Sequence, residues 1–556
     1  MAVCKLRVTT SSRLIRVAVW WALAGFFGLG QPGSPGSFWL CVIASDWPRW
    51  GGRADCNMVS ADRGLPTDFV PGKKSPQGQG IDHSTTKNVL WTARLGTQTY
   101  GNVTVANGRV VIGTNDEDID DERFQSTRGG VLKCFDQATG KLIWQLVMPR
   151  REKVHKNMLF DHLSLGVCSS PTIDGDRVYV VSSRGELLCL DLHGQANGNQ
   201  GPFLDEAAYM VPKGKPPVKL ASQDADIIWM YDLIAGLPCC PQDASCSAVL
   251  IHGDYLYVGT SNGVDESHDR VPFPHAPSLV VFNKHTGRLV AADAEDIGTR
   301  LFHGQWSSPS MGVVNGKPLV FFGAGDGVCY AFQPLEKEAE TVIPLKKVWS
   351  YDCNPPHYKL RDGKPINYRD GDRRRNKGNA NDGTYIGPSE IIGTPVFYRN
   401  RVYVAIGQDP AHGRGKGLLH CIDATKTGDI TQSGRLWWYD ALDRSISTVA
   451  IADGLLYIAD IAGKIHCLDA ESGRPYWVHE TNAETWSSTL VADGKVYVGT
   501  KRNLVVLQAG KEKKVLAQIN LGSPAYCTPV VADGVLYVAS QRYLWAVKQM
   551  GEAGGH

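Results

Sequence analysis

The hydrophobic pattern of this chain is one of short runs with a period of two, cut by glycine-bearing turns, and the runs recur. Asp453-Gly-Leu-Leu-Tyr-Ile458, Asp493-Gly-Lys-Val-Tyr-Val498 and Asp533-Gly-Val-Leu-Tyr-Val538 are three copies of one turn-and-strand unit, spaced 40 residues apart. Looser copies stand at 109–112, 177–180, 255–258, 318–321 and 401–404, so Val111, Tyr179, Tyr257, Phe321, Tyr403, Tyr457, Tyr497 and Tyr537 mark eight repeats. A small-polar entry comes before the strands, as in Ser169-Ser-Pro-Thr172, Ser307-Ser-Pro-Ser310, Gly393-Thr-Pro-Val396 and Cys527-Thr-Pro-Val530. Asn-Gly and Asp-Gly between apolar runs predict tight hairpins, because both central residues of such a turn need positive φ.

Each repeat then reads as four strands: entry, Val-Tyr-Val-like run, a third run such as Lys464–Asp469, and a fourth ending near Trp. Four short antiparallel strands per unit of about 40 residues describe a propeller blade. A blade buries both faces against its neighbours, so the ring must close, and closure removes exposed sheet edges. The eighth repeat runs out near Val547, whereas Lys87–Leu95 is a lone fourth-type strand ahead of the first. The predicted fold is all-β, one eight-bladed propeller over residues 45–549, closed by that N-terminal strand.

Cys134-Phe-Asp-Gln-Ala-Thr-Gly-Lys-Leu-Ile-Trp144 returns in register as Cys467–Trp477, and Val281–Ala291 keeps the geometry without Cys or Trp. A catalytic group does not repeat around a ring. Asp136 and Thr139 are expected to bond the turn, Gly140 to supply its left-handed residue, and Trp144 to fill the space between blades. Cys134, Cys189, Cys329, Cys421 and Cys467 fall at or near one register of the third strand, where free Cys serves as a small apolar residue.

Composition narrows the class without naming an activity. The formal charge of +2 over 556 residues gives no basic excess for nucleic acid. Lys5, Arg7, Arg13 and Arg16 precede an apolar run, Val17–Leu29, and a second patch ends at Ala44. Residues 1–44 therefore read as a signal peptide or N-terminal anchor, which predicts export to a periplasm or cell envelope and membrane attachment through the N-terminus alone. Residues 550–556 read as a tail, and the chain as a monomer.

The pattern at 132–144 and the entry Asp46-Trp-Pro-Arg-Trp-Gly-Gly52 resemble the pyrroloquinoline quinone (PQQ) repeat of quinoprotein alcohol dehydrogenases and of the assembly lipoprotein BamB. The resemblance spans almost the whole mature chain. It implies the propeller strongly and an activity weakly, because one blade serves enzymes and scaffolds alike. It also implies candidates for PQQ and calcium: Cys239 and Cys240 as an adjacent pair over the cofactor, Asn262 in Gly259-Thr-Ser-Asn262 as a calcium ligand, and Trp306 on the cofactor face. Each has a plain alternative, the cysteines as a coincidental pair or a partner for Cys246, and Asn262 as a turn residue. The family's general-base Asp, in a Trp-Asp segment, has no counterpart beside Trp306, and base-catalysed hydride transfer needs that carboxylate near the substrate hydroxyl. No Cys-x-x-Cys-His is present, so no covalently attached haem is expected.

Loops that interrupt the repeat hold the other candidates. Asp116–Glu122 is an acidic cluster without the Gly and terminal Glu of a calcium loop. Arg373, Arg374 and Arg375 read as an exposed basic loop. His303, Glu390, Asp409 and His412 stand at blade entries or between strands, and are expected to meet at one mouth of the ring. Two functions remain open: a module that binds a protein, glycan or small ligand, and a PQQ- and calcium-dependent dehydrogenase of an alcohol or sugar.

Overall fold

The computed structural model describes residues 45–550 except 77, 79, 159 and 369–382. The predicted leader, Arg373–Arg375 and residues 551–556 lie outside the described residues. From residue 44 onward the chain is one compact unit, and it is an eight-bladed propeller of antiparallel sheets. Blade 1 is built from Thr104–Ala106, Arg109–Asn115, Gly130–Asp136 and Leu142–Met148. Blades 2 to 7 start at Thr172, Leu250, Ser310, Val396, Ala450 and Leu490. Blade 8 takes three strands from 530–547, and its fourth is Val89–Arg94, paired with Tyr543–Val547. The N-terminal strand therefore closes the ring. Blades 3 and 4 have five strands rather than the expected four. Their fifth strands, Ile343–Pro344 and Gly428–Asp429, come from long third-to-fourth-strand connections of the next blade and pair in parallel with the outer edge.

The repeated motif is a joint. In blade 1 Val111, Cys134 and Trp144 lie side by side across strands two to four, as do Tyr179, Cys189 and Trp229 in blade 2 and Tyr457, Cys467 and Trp477 in blade 6. Cys329 sits two residues from this register, where Ala331 pairs with Trp349. Trp144, fully buried, donates its indole N–H to Leu192 O of blade 2 at 2.8 Å, and Trp477 donates to Gly510 O of blade 7 at 2.9 Å. Gly140, at φ +69°, packs so closely on Trp91 that a Cβ there would lie 2.5 Å from the indole. Asp136 accepts from both N and Oγ1 of Thr139, as the turn chemistry predicts.

A segment that sequence periodicity does not reveal closes one end of the channel. Residues 45–58 run round the ring, bonding in turn to inner strands of blades 8, 1, 2, 4, 5, 6 and 7. The contacts are Ser45 O with Asp533 N, Trp47 with Val105, Pro48 O with Ile173 N, Ala54 O with Met311 N, Asp55 O with Phe397 N, Asn57 with Ile451, and Met58 O with Val491 N. Its own Cys56 and Met58 are fully buried. The Trp-Pro entry is thus a strap across one mouth.

Candidate functional site

The other end of the channel is lined by the blade entries. Tyr100, Cys168, Cys246, Trp306, Ile392, Ile446, Trp486 and Tyr526, one from each blade, surround a cavity of about 160 Å³ together with Trp50 of the strap. Tyr526 stacks on Trp486, ring centres 4.3 Å apart, and Tyr100 on Tyr526 at 5.8 Å. Two residues after each of these comes the small-polar position that ties neighbouring blades. Asn102 N donates to Ser170 Oγ, Ala248 N to Ser308 Oγ, Thr394 N to Thr448 Oγ1, Thr448 N to Ser488 Oγ, Ser488 N to Thr528 Oγ1, and Thr528 N to Asn102 Oδ1. The chain of bonds skips the joint between blades 2 and 3, where Ala248 offers no side-chain acceptor. It also skips the joint between blades 4 and 5, where the Thr394 hydroxyl takes the Trp50 indole N–H instead.

Around the second of these joints lie the candidates. His303 stands in the loop before blade 4 and is 1% exposed. Its Nδ1 is 3.8 Å from Asp409 Oδ2, and its ring centre is 4.9 Å from that of His412. Asp409 caps the short turn Pro410–His412 in blade 5 by accepting from Ala411 N. Glu390 precedes the blade 5 entry and is fully buried. It accepts from Gly304 N at 3.3 Å and pairs through its backbone with Gly407. Burial pushes its carboxyl well above the usual carboxylate range; the charge of Asp409 adds to this, and a bond from Tyr368 opposes it. The four predicted mouth residues thus form one cluster, with Trp306 edge-on to His303 at 5.6 Å. Two further members carry no signal in the repeat pattern: the buried Tyr368, stacked on Phe302 at 5.5 Å, and His268, whose Nδ1 lies 3.0 Å from His303 Nε2.

The residues singled out for PQQ and calcium are arranged differently. Asn262, fully buried, accepts from Cys240 N at 2.9 Å and donates to Phe273 O at 2.9 Å, so both ends of its amide bind backbone. Cys239 and Cys240 are free and fully buried, and the Cys239 thiol donates to Leu233 O. Burial pushes Cys239 up to about 12 and Cys240 up to about 11, well away from thiolate chemistry. Trp306 lines the channel cavity, but Cys239, Cys240 and Asn262 do not. At about 160 Å³ that cavity is below the roughly 300–1,000 Å³ of usual ligand pockets. Calcium takes six to eight oxygen ligands, and the carboxamide singled out to supply one already binds backbone at both ends. These residues do not fit the PQQ–calcium group. The acidic loop is likewise taken up locally: Asp116 accepts from Ser126 and Thr127, and Asp121 from Arg123 and Gln145.

An eight-bladed ring of tryptophan-docked blades with one strapped and one open mouth defines a PQQ-type propeller. The family model described as outer membrane protein assembly factor BamB matches residues 121–334, 265–479 and 415–517, and the chain belongs to this PQQ-repeat family. Among solved structures it is similar to a europium-containing methanol dehydrogenase, at 12% identity and TM-score 0.53, over 89% of each chain. It is also similar to a quinohemoprotein alcohol dehydrogenase from Pseudomonas putida HK5, at 11% identity and TM-score 0.52, over 92% of this chain and 81% of that one. BamB from Moraxella catarrhalis aligns at 13% identity and TM-score 0.49, over 84% of this chain and 99% of that one. At these identities the likeness is one of fold. No curated protein sequence matches the chain.

Proposed function

We propose that the chain is an exported propeller that binds a partner protein at its open mouth, without redox chemistry of its own. The observation that carries this reading is the placing of Asn262, whose amide is turned to Cys240 N and Phe273 O and which does not line the channel cavity. Membership in a family described by an assembly factor supports a protein partner and an envelope location. The strap leaves one mouth available, and there the entry aromatics Tyr100, Trp306, Trp486 and Tyr526 offer the kind of aromatic contact enriched at the centre of binding surfaces.

The alternative, a PQQ- and calcium-dependent dehydrogenase of an alcohol or sugar, is favoured by one feature, the stack of Tyr100, Tyr526 and Trp486 facing the channel. The test is direct. The purified chain is titrated with PQQ and calcium and assayed for dye reduction with a panel of alcohols and sugars. The binding reading expects neither saturable cofactor binding nor turnover. Tight binding that Asn262→Ala abolishes would overturn it.

A further inference from the structure

We propose that His303, Asp409 and His412 bind one divalent transition-metal ion of the zinc class in the wall of the open mouth. One ligand atom from each residue lies within 4.8 Å of the other two, and both histidines are buried. A tetrahedral site with bonds of about 2.1 Å places its ligand atoms about 3.4 Å apart. His303 Nδ1 and Asp409 Oδ2, at 3.8 Å, are already close to that spacing. Asp409 and His412 sit on one short turn, whose side chains need only small rotations to complete the approach.

The donor set selects the ion. Two imidazoles and a carboxylate suit zinc and its neighbours, whereas calcium and magnesium prefer all-oxygen cages. Three protein ligands leave a fourth position open to a ligand. The surroundings have the form of a metal site's outer layer. Ligating histidines characteristically bond through their second nitrogen, which fixes ring orientation; His303 Nε2 meets His268 Nδ1 at 3.0 Å. Glu390 adds the independent observation. It is fully buried beside the same cluster, held by Gly304 N and by a bond from Tyr368, so a further buried oxygen-bearing group lies next to the three ligands. Asp409, whose side chain is 16% exposed, marks the route of entry.

The inference deepens the binding reading, because the ion would present its open position to whatever enters the mouth. The test uses the untagged full chain, stripped with chelator and titrated with zinc and cobalt(II). Saturable binding of one ion per chain is expected, with a tetrahedral cobalt spectrum lacking the charge-transfer band of thiolate ligation. Asp409→Asn and His412→Ala should each weaken binding more than a hundredfold. His268→Phe should weaken it 10- to 100-fold by freeing the His303 ring. Circular dichroism of each variant separates lost ligands from lost fold, and Asp409→Asn, at the most exposed of the three positions, is the variant least expected to unfold. No saturable binding, or binding indifferent to Asp409→Asn and His412→Ala in folded variants, would overturn the site. Photo-crosslinking of a partner from position 306, measured on metal-free protein, reports on the binding reading separately, so either idea can fail alone.

Discussion

Blades 6 to 8 and blades 3 to 5 are built from the same unit and have diverged in what they do with it. In the first group the Tyr marks are 40 residues apart, each sheet has four strands, and entry hydroxyls bond across every joint from Thr448 through Ser488 and Thr528 to Asn102. In the second group the connections are long, two sheets carry a borrowed fifth strand, and the chain of entry bonds is interrupted at the joint into blade 3 and again between blades 4 and 5. The buried cluster of His303, Glu390, Asp409 and His412 lies only there. Regular blades spend their sequence on closing the ring. Once enough joints are secured, the remaining blades can carry long loops and buried polar groups that a ring of identical units would not tolerate.

The largest effect that tests this contrast comes from two tryptophans. Trp477 in blade 6 is buried and bonded to blade 7, so Trp477→Ala should cost about 3–5 kcal/mol, as truncation of a buried aromatic does. Trp306 is half-buried at the mouth, and Trp306→Ala should cost about 1 kcal/mol or less, within the range of substitutions outside the core. Urea denaturation of both variants measures the difference. Equal losses would remove the distinction between joint and mouth.

A histidine pair gives the next effect. His420 and His466 occupy the same third-strand position in blades 5 and 6, each with a Tyr hydroxyl at 3.1 Å from Nδ1. His466 has in addition Asp460 at 3.0 Å from Nε2; no such carboxylate bond is seen at His420. Burial holds His420 down at about 3, against an ordinary value of 6.5. The unfolded chain therefore binds this proton first. The stability tied to neutral His420 is intact above about pH 6.5 and falls with acid by about 1.4 kcal/mol per pH unit down to about pH 3. His420→Leu should flatten that stretch of the stability profile, and the measurement is the denaturation midpoint between pH 7 and pH 4.

The regular half was legible from sequence almost entirely. Its tyrosines and Asp-Gly turns are local and repeated, so each copy corroborates the others. The mouth residues were legible for the opposite reason: His303, Glu390, Asp409 and His412 stand where the repeat breaks, just beside entries whose place was fixed. Tyr368 and His268 were not, because they reach His303 from loops whose paths no periodicity determines. The strap was read only as a Trp-Pro opening. Its contacts to six of the seven blades it meets are backbone bonds, and these leave no side-chain pattern to find.

A smaller effect probes the entry bonds. Thr448 accepts from Thr394 N and donates its own N–H to Ser488 Oγ, so it links three blades. Thr448→Val keeps the shape and leaves the buried Thr394 N–H without its acceptor, which should cost about 1–3 kcal/mol. The loss should show as a lower denaturation midpoint with an unchanged slope. A neutral result would mean that the hydroxyl bonds follow from ring closure rather than helping to hold it.

The least disruptive probe is chemical. Among the twelve described cysteines Cys246 alone is not buried, and it faces the channel cavity at the joint between blades 2 and 3, where the entry bonds are interrupted. Thiols react as thiolates, and only where reagent reaches them. Burial, the largest cause at each, pushes Cys189, Cys421 and Cys467, in the joints, up to about 12. A small aromatic disulfide added to folded protein should therefore label Cys246 first among these twelve, with the joint cysteines reacting only on unfolding. Cys246→Ser should remove the fast phase and leave the slow one unchanged. If joint cysteines label as quickly in the folded chain, the blades open on the time scale of the reagent; fast labelling of Cys467 would mean that the regular half is not the closed frame that its bonding describes.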